Sequence, residues 1–333
     1  LDSIDSRFRT PHPVSVGRKE QLKQLQQVWD RGHLGSGAVA MIEGDSGAGR
    51  THLLNHHLQD LADAGVPIMV ARCSSEDGQP LEVFRRAIDG MIACQASGSN
   101  PAAQALRKRV LEAGQDNGSD LARFSYELEH LFKEGLSQKD AEQVDDARQH
   151  QVVADFLFQL ASGGRGACIV IDELQWCDQG SWQFLNRLIR QLSGTGLVIY
   201  TSIRRDDLSN ATAKKLRDLV GGYYFSRIAL NNLAADEVQE LVKQQLASDS
   251  LPPELVSQLM TRSEGNPMAV SECLRAMLMQ GVLLPDWGRW RLDTAGLEKL
   301  SLPENVLDIS LHRLRELSQD TLTVLRQAAV VGA

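Results

Sequence analysis

Several things are scarce in this sequence, and each shortage removes a class of protein. Its 333 residues hold five cysteines, Cys73, Cys94, Cys168, Cys177 and Cys273, scattered and with no CxxC pair. Two of them lie in apolar, core-like runs, so the set reads as buried free thiols of a reducing cytoplasm rather than as disulfides or a zinc site. No apolar run approaches the roughly 20 residues that span a bilayer; "ACIVI" and "GLVIY" are strand-sized. An excess of positive charge is also missing. The net charge is −8, which argues against a chain whose main business is coating nucleic acid. The polar opening "LDSIDSRFRT" is unlike a signal peptide, and no internal repeat is found. Because the chain opens on Leu1 and stops within the apolar "AAVVGA", it reads as a piece of a longer polypeptide.

What is present is the composition of an ordinary globular protein, 42% hydrophobic and 23% charged, at a length that exceeds one average domain. Residues 1–14 read as a polar linker with Pro11 and Pro13. From 15 to 229, helical and strand patterns alternate. "KEQLKQLQQVW" is a helix with Leu22, Leu25 and Val28 on one face, "AVAMIEG" a strand, and "THLLNHHLQDLADAG" a helix closed by Gly65. "VPIMVARC" is a second strand, followed by an amphipathic segment with Leu81, Phe84, Ile88 and Met91 together. The stretch from about 95 to 150 is polar and glycine-punctuated, and is expected to form loosely packed helices and loops. Then come the helix "VVADFLFQLA", the strand "ACIVIDE", the helix "SWQFLNRLIRQL", the strand "GLVIYTSIR" and a further strand in "YYFSRIAL". Short continuous apolar strands between helices predict an α/β fold with a parallel sheet covered on both faces. Residues 230–285 carry helical patterns alone, a separate domain, and 286–333 begin a third piece with two helices of their own.

The chemistry starts at "GDSGAGRT", Gly44 to Thr51, which follows a strand and opens a helix. It has the G-x-x-x-x-G-[K]-[ST] spacing of a phosphate-binding loop, with Arg50 where lysine is usual. Glycines let the backbone wrap a phosphate with its N–H groups inward, and the helix adds its positive end. The candidate nucleotide contacts are Gly44, Asp45, Ser46, Gly47, Ala48, Gly49, Arg50, Thr51 and His52, with Thr51 offering a hydroxyl to Mg²⁺. The same residues could form a ligand-free strand-to-helix turn. Arginine keeps the positive charge and can grip phosphate oxygens with its fork, but it is longer and planar. Retained binding with slowed hydrolysis is therefore expected, a dead site being the competing outcome.

About 120 residues on, "CIVIDELQWCD" puts Asp172 and Glu173 at the end of a buried strand. Two adjacent acids there call for a cation or ligand. Asp172 would hold Mg²⁺ partly through water, and Glu173 would orient or deprotonate an attacking water; solvated acids or a helix cap are the plainer alternative. Asp178 reads as a helix N-cap. "LVIYTSIRR" brings Thr201 and Arg204 or Arg205 to the same sheet edge, where an arginine can report on a γ-phosphate. Trp287 and Trp290 read as hairpin packing rather than a base-stacking platform.

Together these segments resemble the STAND class of AAA+-related P-loop ATPases, in particular the modules attached to bacterial regulators, cyclases and serine/threonine kinases. "VSVGRKEQL" resembles that family's adenine-pocket motif, carried by Val16, Gly17 and Arg18. "IDELQWCD" is similar to its acidic strand motif, "YTSIRRDD" to its sensor strand, and "SEGNPMAV" to its Gly-x-Pro motif. The tail from "LPENVLD" on resembles the start of a winged helix. The resemblance implies ATP or ADP with Mg²⁺ between the α/β and helical domains, Pro267 reaching the nucleotide, and Glu173, Arg50 and Arg204 as the catalytic set. It implies sensor and effector modules as partners, with a nucleotide-dependent homo-oligomer or a regulatory protein beside them, and a cytoplasmic location. No membrane or nucleic-acid partner is expected for this piece. A DNA-handling ATPase of the origin-recognition or transposition-helper type is the alternative, and a non-hydrolysing nucleotide-binding scaffold a third.

Overall fold

The computed structural model describes residues 15–74, 79–132, 146–162, 166–207, 212–216, 225–287, 289–299 and 319–331. The chain divides into two compact units. One comprises Leu1–Gly44 and Arg50–Leu230, the other Asp45–Gly49 and Asn231–Ala333.

The first unit is built on a five-stranded sheet of β1 (Ala38–Gly44), β2 (Ile68–Arg72), β3 (Ala167–Asp172), β4 (Leu197–Arg204) and β5 (Phe225–Leu230), in the order β2-β3-β4-β1-β5. Every pairing is parallel. All seven residues of β1 and all six of β3 are buried, as a parallel sheet covered on both faces requires. The helices alternate with these strands: α1 (Lys19–Arg31) before β1, α2 (Arg50–Asp63) after it, α3 (Glu82–Met91) after β2 and α8 (Gln179–Arg190) between β3 and β4. Leu81, Phe84, Ile88 and Met91 are all buried in the main core, where Phe84 meets Phe184 of α8 edge-on. Asp178 caps α8, its Oδ1 accepting from the Ser181 N–H at 2.8 Å.

The segment expected to pack loosely does not. It folds into α4 (Pro101–Gly114), α5 (Gly118–Phe124) and α6 (Tyr126–Phe132), and the next helix, α7 (Asp146–Ser162), starts earlier than its apolar run. Val110, Leu121 and Leu128 are fully buried in the same core as the sheet. Arg109 ties α4 to the start of β3 by donating to the Gly166 carbonyl at 2.8 Å. The apolar residues here are few, but they face inward, and the many charges on the outer face hide them from a composition average. Residues 133–145 of the same segment lie outside the described residues.

In the second unit, α9 (Ala235–Leu246), α10 (Leu255–Ser263) and α11 (Pro267–Met279) pack around Val238, Val242, Leu259, Val270, Cys273 and Met277. The antiparallel pair β6 (Leu283–Asp286) and β7 (Arg289–Leu292) adds Leu283 to that core and lays Trp290 and Leu292 against it. Trp287 does not pack as expected: it sits after β6 with φ +42° and is fully exposed. A turn residue has no place in the strand pleat, so its ring is not directed at the core as that of Trp290 is. Two further helices, the short α12 (Thr294–Lys299) and α13 (Gln319–Val331), follow. The first helix of the expected winged-helix start, "PENVLDISLHRLREL", lies outside the described residues.

Among the described residues, no helix is long and apolar enough to cross a membrane, and Cys73, Cys94, Cys168, Cys177 and Cys273 are all free thiols.

Candidate functional site

Parallel register decides what meets at the C-terminal edge of the sheet. Gly44 lies opposite Arg204, and Arg72 opposite Asp172. Because Ile171 pairs with Thr201, Asp172 is level with Ser202, and the Gly44–Arg204 row lies two residues further along the same edge, with Thr51 in the first turn of α2.

Asp172 is the end of β3 and is buried. Its Oδ2 accepts from Thr51 Oγ1 at 3.3 Å, and its Oδ1 accepts from Ser202 Oγ. The Ser202 hydroxyl also accepts from the Glu173 N–H at 3.2 Å. One serine of β4 therefore steadies both acids.

Glu173 leaves the strand in the left-handed region, φ +59° and ψ +47°. A non-glycine residue held there costs of order 1 kcal/mol or more and needs its surroundings to fix it. The fixing groups are cations. Arg50 Nη2 lies 3.1 Å from Oε1, Arg72 Nη2 3.7 Å from the same oxygen, and Arg204 Nε 2.7 Å from Oε2. Burial alone pushes the Glu173 carboxyl upward, but the charges of Arg204 and Arg50 and the hydrogen bonds from Arg204 and Gln175 outweigh it. Its pKa lies below the ordinary carboxylate value. Glu173 is held as an ion.

Arg50 opens α2 and is itself buried. Its Nη1 donates to the Gly44 carbonyl while Nη2 holds Glu173. The group standing in the lysine position is thus engaged by the strand end and by the acid.

The loop Asp45–Gly49 turns at Gly47 (φ +79°) and Gly49 (φ +90°), conformations that L side chains rarely adopt. The Ala48 N–H closes a turn on the Asp45 carbonyl at 3.1 Å. His52 follows in the first turn of α2, half-buried. Ahead of α1, Gly17 has φ +68° and Arg18 is buried beside the half-exposed Val16. Arg205 is exposed, and its N–H donates to the Gly44 carbonyl at 3.2 Å. Pro267 is the first residue of α11, where its missing N–H costs nothing.

Thr201 does not join this group: its hydroxyl donates to the Ala40 carbonyl within the sheet. The residues that join without having been foreseen are Ser202, Arg72 and Gln175. A basic residue closing the apolar run of β2 was a usable sign for Arg72. Choosing Ser202 over Thr201 needs the register of β3 on β4, in which Ile171 faces Thr201.

A family profile described as "AAA ATPase domain" matches residues 14–200. An uncharacterized protein of Rhizobium meliloti (strain 1021) is 22% identical over 326 residues, a match that takes in 95% of this chain and 29% of that protein. The chain therefore spans less than a third of that relative's length. Among solved structures it is similar to Cdc6p from Pyrobaculum aerophilum, with 13% identity, a TM-score of 0.48 and coverage of 83% of this chain and 66% of that one. It is also similar to the ORC1 protein of Aeropyrum pernix, solved in complex with DNA, with 14% identity, a TM-score of 0.48 and coverage of 97% and 75%.

Proposed function

The chain belongs to the AAA ATPase domain family, and from that premise we propose that it is a slow, Mg-ATP-dependent switch of the STAND kind. The observation that carries the reading is the approach of Thr51 Oγ1 to Asp172 Oδ2, residues 121 apart in sequence and 3.3 Å apart in space, at the end of a glycine loop. A hydroxyl and a carboxylate are the hard oxygen donors that Mg²⁺ takes, so the residues fit the ion. Bound MgATP would supply the phosphoryl group to be transferred to water.

The chain's own groups then divide the work. Thr51 and Asp172 hold the ion, Asp172 partly through water. The amides of Gly44 to His52 and the start of α2 bind phosphate. Arg50 clamps the charge of the phosphates, Glu173 orients and deprotonates the water, and Arg204 reads the γ-phosphate. Val16, Gly17 and Arg18 serve the adenosine side. Arg50 and Glu173 are paired with each other, so a phosphate has to compete with a carboxylate for the guanidinium, which supports binding with slow turnover. The partners are sensor and effector modules of a longer cytoplasmic polypeptide, with a homo-oligomer or a regulatory protein as the responding species.

Titration with a fluorescent ATP analogue, with and without Mg²⁺, tests this. Thr51→Ala is expected to weaken the Mg²⁺-dependent part of the affinity by about tenfold, the worth of one good polar contact. Equal affinity in the variant would remove Thr51 from the site.

A further inference from the structure

In the Gly-Asn-Pro turn at the head of α11 the resemblance points to the proline, yet it is Asn266 that touches the glycine loop. Within the unit formed by Asp45–Gly49 and Asn231–Ala333, the Asn266 side chain does two things at once. Its Oδ1 accepts from the N–H groups of Met268 (3.1 Å) and Ala269 (3.2 Å), capping α11. Its Nδ2 donates to the Ser46 carbonyl at 2.8 Å. The Met268 N–H also donates to the Gly47 carbonyl at 3.3 Å. The fit is tight: a Cβ on Gly47 would meet Asn266 Oδ1 at 2.6 Å and the Met268 Cβ at 2.8 Å, so glycine is required there for space as well as for its positive φ.

Planarity of the peptide group turns these contacts into a statement about the loop. In a trans peptide the C=O and the following N–H point in opposite directions. With the Ser46 carbonyl drawn toward Asn266, the Gly47 N–H is directed away from α11. A phosphate-binding loop works only if its amides, not its carbonyls, face the anion, and a flexible glycine turn left alone samples both orientations. We infer that Asn266 is a positioning residue for the phosphate loop: its carboxamide holds the Ser46–Gly47 peptide in the orientation that presents an amide to phosphate. The inference rests on the nucleotide reading above. It differs from the role that the resemblance gives Pro267, because it acts on the loop main chain and needs no contact with the nucleotide.

The test separates the two functions of one side chain. Asn266→Ser keeps a neutral cap acceptor for Met268 and Ala269 but is too short to reach Ser46. It is expected to weaken MgATP about tenfold, the worth of one hydrogen bond of this kind, with the nucleotide-free protein still folded and its unfolding free energy lowered by no more than that one bond's worth. Unchanged affinity overturns the inference. Should the serine variant also lose stability, Asn266→Asp restores a strong cap while offering no donor. Affinity that stays low in both the neutral serine variant and the stable aspartate variant supports the donor role, and affinity that recovers with the midpoint overturns it. The unsubstituted protein serves as the reference throughout: if it takes up no MgATP, the nucleotide reading fails and this inference with it, whereas normal uptake by both it and the serine variant defeats the inference alone.

Discussion

Glu173 and His57 are both almost wholly buried in the α/β unit, yet one is kept as an ion and the other as a neutral ring. Glu173 sits among Arg50, Arg72 and Arg204, and its charge is matched by theirs. His57, on α2, shares a 2.8 Å hydrogen bond between Nε2 and the Tyr200 hydroxyl of β4, which donates onward to the Leu25 carbonyl of α1. Burial drives the His57 pKa down to about 4, against a rise from Asp30 and with a smaller push down from His56. The first arrangement can be rearranged by any incoming charge, because its members are held by electrostatic pull that a phosphate can share. The second has no charge to offer and serves to join helix, strand and helix. A responsive cluster and a fixed one thus both draw on α2 and β4.

Removing the charge from the responsive cluster is expected to have the largest effect on stability. Glu173→Ala leaves the buried Arg50 guanidinium without its carboxylate and should cost about 4 kcal/mol, the usual penalty for breaking a buried pair from one side, read as a drop in urea unfolding free energy. A smaller loss, near that of an exposed pair, would mean that the arginines are solvated and the contrast with His57 is weaker than drawn.

Acid should find the fixed cluster next. The folded pKa of His57 lies below its ordinary 6.5, so its neutral-state stability is complete above pH 6.5 and is lost as pH falls from 6.5 toward 4. The unfolded chain takes up a proton there and the folded chain does not. The loss is roughly 3 kcal/mol by linkage. His57→Phe should remove that part of the pH dependence, so that the difference in unfolding free energy between parent and variant changes between pH 7.5 and pH 4.5. A constant difference would show that His57 titrates normally.

The smallest effect sharpens the comparison by marking an acid that belongs to neither cluster. Asp178→Ala removes the cap of α8 and should cost about 1 kcal/mol by thermal melting, with MgATP affinity intact; altered affinity would place Asp178 in the site.

Much of this arrangement could be read from the chain, and where reading stopped has a physical reason. The strand ending at Gly44, the strand ending near Asp172 and the helix after the glycine loop follow from local pattern, since a buried parallel strand is apolar throughout. The pattern starts that helix at Thr51, and it begins one residue earlier, at Arg50. Asp178 as a cap is equally local. Partners set by strand register are not local: nothing near Ser202 or Arg72 in sequence says that one will bond Asp172 and the other lie opposite it. The Arg50–Glu173 pair is non-local in the same way, its partners standing 123 residues apart in sequence. The helices between 101 and 132 are hard to read from composition because a few inward residues decide packing while many outward ones decide average polarity.

Strand order has one more consequence, for how the molecule comes to be built. Ala38 in β1 pairs with Val198, and Val39 with Phe225, so both flanking strands of β1 are translated long after it. During synthesis, which proceeds from the N-terminus, the strand leading into the glycine loop has to wait, unpaired, for partners distant along the polypeptide. Contacts of such long range form slowly because chain closure comes first. Of the five strands, β1 is therefore the first made and among the last seated, which makes that interval the time when a chaperone would matter most.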